Sequence, residues 1–412
     1  MTARRSRRPV SDPFGIVAPS GPIAPLIALG GLVVIALISV GLFSGRLPTI
    51  VGGGAGSKGP PPTVAPPSVV QPEAKAASVA GTFVYAKLGN IWVQQGTTVR
   101  QLTKQGLDRD PRFSADGGYV YFIRTDTKHA RAPLDGTATD VTLDIPVLMR
   151  VKVDGSAGAE EIQSADYSLG GGYRWFYWLR QPTPGPDGKT LAVVSDGPDP
   201  YHSGRDVVLQ TMSVNGGRLT LANAPDESPL GHQDPAWRPD GKQIAFTHNA
   251  RGASASRGSP SIWKYDVSSH RASPITGGGY EAPSWSPDAR YLAVTKVNNQ
   301  GTDVVIVDVR DGAEVARLTN DGRSWAPVWS PNGDEIAYLH DKQGLIDLRV
   351  AKLTGAAPAW TLVDTIEMTT NSGLDGESRP DWFVAPEERT PVPSAAPPTA
   401  PTASGVAPSQ IP

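Results

Sequence analysis

Cysteine is absent from all 412 residues. Its absence excludes disulfides, thiolate metal sites, a cysteine nucleophile and a lipid-modified cysteine as a membrane anchor. An excess of either charge is missing too. Lys and Arg number 38 against 40 Asp and Glu, a net charge of −2, so no nucleic-acid partner is implied. Histidines are few, and His129, His202, His232, His248, His270 and His340 lie scattered without zinc-site spacing. No Gly-x-Ser-x-Gly elbow occurs, and none of the aspartate-rich turns matches an EF-hand loop. No amphipathic helix of three turns is legible. These gaps point to a chain with no metal, no cofactor and no catalytic residues.

Glycine and proline are plentiful, at 45 and 40 residues, and much of the proline lies at the ends. Residues 1–22 form a polar, basic tail in which Arg4, Arg5, Arg7 and Arg8 cluster. Ile23 to Phe43 follows as 21 uncharged residues in which Ser39 is the one polar side chain. A helix of that length spans roughly 30 Å, the thickness of a hydrocarbon core. A cleaved signal peptide is the alternative, but Ser44-Gly-Arg-Leu-Pro48 is a poor cleavage site. With four arginines before the span and only Arg46 close behind it, the N-terminus is expected in the cytoplasm and the remainder outside. Residues 44–80, rich in Gly, Pro, Ala and Val, read as a disordered tether, and residues 386–412 repeat that composition as a Pro-rich disordered tail.

Between them, over 81–385, the pattern is short β-branched and aromatic runs separated by Asp-Gly turns. One phrase recurs. It reads Asp234-Pro-Ala-Trp-Arg-Pro-Asp-Gly-Lys-Gln-Ile-Ala-Phe246, Ala282-Pro-Ser-Trp-Ser-Pro-Asp-Ala-Arg-Tyr-Leu-Ala-Val294 and Ala326-Pro-Val-Trp-Ser-Pro-Asn-Gly-Asp-Glu-Ile-Ala-Tyr338. Two further copies start at Asp110-Pro-Arg-Phe and, worn, at Trp178-Leu-Arg-Gln-Pro. A proline opens a strand carrying an aromatic residue, a Pro-Asp-Gly turn follows, and an apolar strand runs back: a hairpin. Third and fourth strands follow, as at Ile262-Trp-Lys-Tyr-Asp266 and Arg271-Ala-Ser-Pro-Ile-Thr276.

Repetition at this period predicts an all-β domain of four-stranded antiparallel blades, a β-propeller. Asp116, Asp187, Asp240, Asp288 and Asn332 mark the turns at intervals of 71, 53, 48 and 44 residues. Ser378-Arg-Pro-Asp-Trp-Phe-Val384 is a sixth opening with no hairpin after it, and Phe83-Val-Tyr85 is its missing partner. Six blades follow, closed by the first strand of the domain; a seventh would require Lys128–Ile162 as an irregular unit. The long first interval places an insertion near Lys128–Pro146, between blades one and two.

The phrase x-Pro-x-Trp-Ser-Pro-Asp-Gly-x-x-Ile-Ala-Phe, followed by Ile-Trp-x-x-Asp and x-Leu-Thr, resembles the repeat of the TolB-type six-bladed propellers over about 300 residues. In that family the propeller is periplasmic and binds a peptidoglycan-associated lipoprotein. The resemblance therefore implies a binding role at the cell envelope. Similar repeats also occur beside peptidase domains and in surface sensors.

Propellers gather ligands at their central opening, lined by residues just before each innermost strand. Asp110, Tyr173, Arg174, His232, Asp234, Tyr280, Glu281, Trp325, Glu377 and Arg379 are the candidates. Their mixture of charge and aromatic rings suits a peptide or polar glycan. Asp110 and Asp234, each directly before a blade proline, also suit a structural role as acceptors of backbone N–H groups. Trp175, Trp178 and Tyr173 could stack a sugar, although core packing explains them as well. The expected protein is a single-pass membrane protein with an extracytoplasmic, non-catalytic propeller that binds an envelope protein or cell-wall polymer. An enzyme such as a polysaccharide lyase, with His232 and Arg379 at the mouth, and a surface sensor module are the alternatives.

Overall fold

The computed structural model describes residues 74–134, 137–225, 231–251, 257–355 and 357–389. The predicted basic tail, membrane span, most of the tether and most of the C-terminal tail lie outside these residues. Among the described residues no helix is long and apolar enough to cross a membrane.

Six four-stranded antiparallel sheets form the blades. Blade one comprises Asp108–Phe113, Tyr119–Leu134, Thr137–Lys152 and Glu160–Ser164. Blade two comprises Leu179–Pro184, Thr190–Ser195, Val208–Ser213 and Thr220–Leu221. The strands of blade three are His232–Trp237, Gln243–Arg251, Arg257–Asp266 and Arg271–Gly278. Blade four holds Tyr280–Trp285, Tyr291–Asn298, Gly301–Asp308 and Glu314–Arg317, and blade five Ser324–Trp329, Glu335–Lys342, Leu345–Thr354 and Thr361–Glu367. In blade six the innermost strand, Asp381–Phe383, comes from the end of the domain, whereas Thr82–Lys87, Asn90–Gln95 and Thr98–Gln101 come from its start. Thr82 pairs with Phe383, Phe83 with Trp382 and Val84 with Asp381, so the ring closes as the unpartnered sixth opening predicts.

Hydrophobic burial is organised at the seams between blades rather than in one central core. Trp285 of blade four packs on Ala236, Ala245 and Ile262 of blade three, and its indole N–H reaches the Ala236 carbonyl at 3.0 Å. Trp329 of blade five packs likewise on Tyr291, Ala293 and Ile306 of blade four. Ala245, Ala293 and Ala337, all fully buried, leave room for these rings to fill the wedge between sheets. The turns at Asp116, Asp187, Asp240 and Asp288 are held by their own aspartates. In blade one the Ser114 hydroxyl donates to Asp116 Oδ1 at 2.6 Å and the Gly118 N–H to the same oxygen at 3.1 Å. The bond to Ser114 and then that to Gly118 hold the Asp116 carboxyl below the usual carboxylate range. Gly117 sits at φ +71°, a conformation open to glycine without strain.

The first interval differs from expectation. Residues near Lys128–Pro146 do not form an insertion between blades; they lengthen the second and third strands of blade one into a paired hairpin of 16 residues each. The physical reason is period-two patterning. Val141, Leu143 and Ile145 alternate with exposed Thr142 and Asp144, which extends a strand instead of interrupting it. What separates blades one and two is a different element, a two-stranded hairpin of Asp166–Gly170 and Tyr173–Phe176. On the other side of the domain, the turn Ala74–Ser78 buries Ala76, and Val79 just beyond it is buried as well, in the seam between blades five and six.

The closing pair packs Phe83 against Trp382 at a tilt of 37°, with ring centroids 4.4 Å apart, and both rings are buried. Trp382→Ala is expected to cost about 3–5 kcal/mol in a denaturant titration. Combined with Phe83→Ala the loss should be less than additive by about 0.5–1.5 kcal/mol, since each single change already breaks the ring contact.

Candidate functional site

The innermost strands share a local irregularity that sets the geometry of the central opening. In blades one to five the residue before the strand proline adopts a left-handed conformation: Asp110 (φ 56°), Gln181 (51°), Asp234 (52°), Ala282 (53°) and Ala326 (52°). Each lies in a β-bulge where the register with the second strand shifts. The bulge turns the backbone N–H of that residue sideways, toward the preceding blade. Asp110 N donates to Ser378 Oγ (2.8 Å), Gln181 N to Asp110 Oδ2 (3.2 Å) and Asp234 N to Gln181 Oε1 (2.8 Å). Ala282 N donates to Thr247 Oγ1 (2.9 Å) and Ala326 N to Thr295 Oγ1 (3.0 Å). Between blades five and six the bond runs from the Arg379 guanidinium to the Pro327 carbonyl (3.0 Å). A belt of hydrogen bonds thus runs round the axis.

Above the belt lies a cavity of about 360 Å³. Asp234, Glu281, Trp325, Glu377 and Arg379 line it, together with Arg180, Gln181, Gln233 and Thr295, which belong to blades two to four. Both signs of charge meet there. Arg379 is only 8% exposed, and its Nε has no partner within the protein. The Nε atoms of Arg180 and Arg109 are buried in the same unpartnered state. Burial pushes the Arg379 guanidinium down to about 10, with Arg112 adding to the fall, so it remains charged at neutral pH. Buried guanidinium N–H groups without protein acceptors are costly unless something else supplies the oxygen.

The remaining candidates sit elsewhere. Asp110 is buried in the belt and accepts the Gln181 N–H, the acceptor role its position before proline suggests. Asp234 belongs to both sets: it lines the cavity and accepts from the Gln181 amide (3.0 Å) and the Thr247 hydroxyl (3.2 Å). Tyr280 is outside the cavity wall and lies under Lys296, whose ammonium is 5.7 Å from its ring centroid. Tyr173 and Arg174 are on the separate hairpin, where Arg174 pairs with Asp166. Arg180 and Gln181 occupy the equivalent place in blade two. The signal for them was Pro182, which aligns with Pro111, Pro235, Pro283 and Pro327; the denser aromatic run at 173–178 masked it. That run is partly solvent-facing, with Trp178 41% exposed and Trp175 edge-on to Tyr201 at 6.1 Å.

His232 is fully buried beneath the mouth rather than in it. Its Nδ1 accepts from Leu209 N (2.9 Å), and its Nε2 donates to the Pro225 carbonyl (2.7 Å), which fixes the neutral tautomer. Burial lowers its pKa to about 4, with a small further push from His248. Among the described residues no cluster of His, Asp and Glu has a metal-holding arrangement.

Two outcomes follow. Thr247→Val removes the acceptor of Ala282 N–H and the donor to Asp234 at constant shape, and should cost about 1–3 kcal/mol of stability by chemical denaturation. The unfolded chain binds a proton on His232 near pH 6.5 that the folded chain refuses until about 4. Stability is therefore full above pH 6.5 and declines by about 3 kcal/mol as pH falls toward 4. His232→Asn should flatten that part of the stability–pH curve.

Comparison with known proteins agrees with this architecture. Residues 178–369 match the family described as the TolB beta propeller domain. The chain is 33% identical over 128 residues to the Tol-Pal system protein TolB of Anaeromyxobacter dehalogenans, covering 29% of this chain and 26% of that protein. It is 28% identical over 106 residues to the uncharacterized peptidase YuxL of Bacillus subtilis, covering 25% and 16%. The chain thus matches about a quarter or less of the length of these relatives. The crystal structure of TolB from Acinetobacter baumannii superposes with a TM-score of 0.51 at 17% identity, covering 73% of this chain and 66% of that one, a likeness of fold.

Proposed function

We propose that this TolB-like propeller is a non-catalytic binding module that takes an envelope protein or cell-wall polymer at its central opening. The observation that carries the reading is a polar cavity in whose wall two arginines, Arg180 and Arg379, are joined by two carboxylates, Glu281 and Glu377. A partner that inserts backbone carbonyls or carboxylates would pair with the arginines, and Glu281 and Glu377 on the same wall would meet its donors. The belt beneath keeps these side chains in place before the partner arrives, which lowers the ordering cost of binding. The similarity to a Tol-Pal system protein supports a protein partner. In this reading residues 23–43 anchor the chain with its N-terminus in the cytoplasm, and the tether presents the propeller outside. The enzyme alternative needs His232 and Arg379 together at the mouth, yet only Arg379 lines the cavity.

The full-length chain, crosslinked in the membranes of the cells that make it, should capture a defined partner. Arg180→Ala and Glu281→Ala, at half-buried positions, should each reduce capture at least tenfold while the thermal midpoint stays within about 2 °C. Capture that is indifferent to both changes would exclude the central opening. Breakdown of a cell-wall polymer by the purified chain would replace the binding reading with the enzymatic one.

A further inference from the structure

We infer that a second binding site lies between the outer strands of blades one and two, and that it takes a small organic oxyanion, a carboxylate or phosphate carried on a compact ring. The inference is independent of the central opening. The cavity there measures about 340 Å³, within the range of small-molecule sites. Arg205 and Arg218 both line it, and no Asp or Glu does.

Several arginines of this chain are matched by carboxylates: Arg124 by Asp108, Arg310 by Asp308, Arg349 by Glu367. Here one guanidinium nitrogen of Arg205 donates to the Gly197 carbonyl at 3.2 Å, and among the described residues the Arg218 side chain has no hydrogen-bond or ion-pair partner. Of the nearby acids, Asp196 feels the Arg205 charge, and neither it nor Asp206 belongs to the lining. Asp196 accepts the Trp178 N–H at 2.7 Å, and Asp206 accepts the N–H groups of Val207 and Gly231.

Most other polar groups of the wall are already committed, which leaves the arginines, with the exposed Thr220 hydroxyl, as the recognition element. Gln163 accepts from Gly217 N (2.6 Å) and donates to the Tyr177 hydroxyl (2.7 Å). Gln210 donates to the Ser195 and Gly197 carbonyls. The remaining surface is apolar: Pro198, Leu219, Leu221 and the Tyr177 ring. Guanidinium groups bind carboxylate or phosphate through paired N–H donors. An aromatic and aliphatic wall beside them fits the CH face of a ring and gives a bare ion nothing to touch. The chemistry thus selects an anion with a body.

Isothermal titration of the full-length chain with glucuronate, glucose 6-phosphate, inorganic phosphate and glucose tests this at low ionic strength. Saturable binding of glucuronate or glucose 6-phosphate is expected, with none for neutral glucose. Arg218→Gln, at an exposed position without partners, should weaken it at least tenfold, and Arg205→Gln should weaken it as well. Added salt should weaken binding too, since the site opens to solvent. Absence of binding by either sugar anion would overturn the proposal, as would affinity unchanged in Arg218→Gln. Inorganic phosphate binding as tightly as the sugar anions would overturn the ring-bearing ligand.

Discussion

The structure depends on one strained backbone position repeated round the axis, the left-handed residue before the proline of each innermost strand. L-residues avoid this region, at about 1–3 kcal/mol apiece, and two of the five residues that hold it are alanines with no side-chain bond to compensate. The compensation is collective. Each bulge aims an N–H into the neighbouring blade, where a hydroxyl, carboxylate or amide receives it. Blades that otherwise meet through apolar wedges are thereby fixed in rotation about the axis. The residue just before each bulge is left pointing at the axis, and in that register Arg180, Gln233, Glu281 and Trp325 converge. Strain, blade spacing and the composition of the mouth are consequences of one local geometry.

The same geometry explains what could be read from the chain and what could not. The strands, the turn aspartates, the wedge tryptophans and the closure through Phe83 were legible because each follows from local chemistry: alternation, Pro-Asp-Gly, or a ring with no partner in its own hairpin. The mouth was legible only where the proline register was clean, as at Asp234, Glu281, Trp325 and Arg379. In blade two the aromatic run of the accessory hairpin makes Tyr173 and Arg174 the stronger candidates in sequence, seven residues upstream of Arg180 and Gln181. The belt itself was hidden. Nothing in a single sequence says that Thr247 and Thr295, on second strands, face the next blade's bulge rather than solvent. His232 shows the converse: a histidine in the right register can still lie under the surface, because its ring turns toward Phe246 and the blade seam.

Blades one and two are where the chain departs most from its repeat. The lengthened hairpin of blade one, the added hairpin before blade two and the helical turn Pro200–Ser203 gather on this side of the ring. The Tyr167 hydroxyl donates to Asp199, Tyr201 N donates to the Tyr167 hydroxyl, and the Tyr201 hydroxyl reaches the Pro133 carbonyl. These bonds tie the additions to one another as much as to the blades. Regular repeats give a symmetric scaffold, and chemical individuality accumulates where the repeat is broken.

The closing pair also has a mechanical consequence. Thr82 and Phe383 are partners at one edge of a three-residue match, and the two flanks of the domain leave from that edge. Once the packed residues Ala76 and Val79 had been pulled from their seam, tension applied between the flanks would not shear the blade along its length. It would open the pair like a zipper, one rung at a time, against the ring contact of Phe83 and Trp382. A pull through the two ends therefore loads the closing pair in its weakest direction, its rungs in succession rather than together.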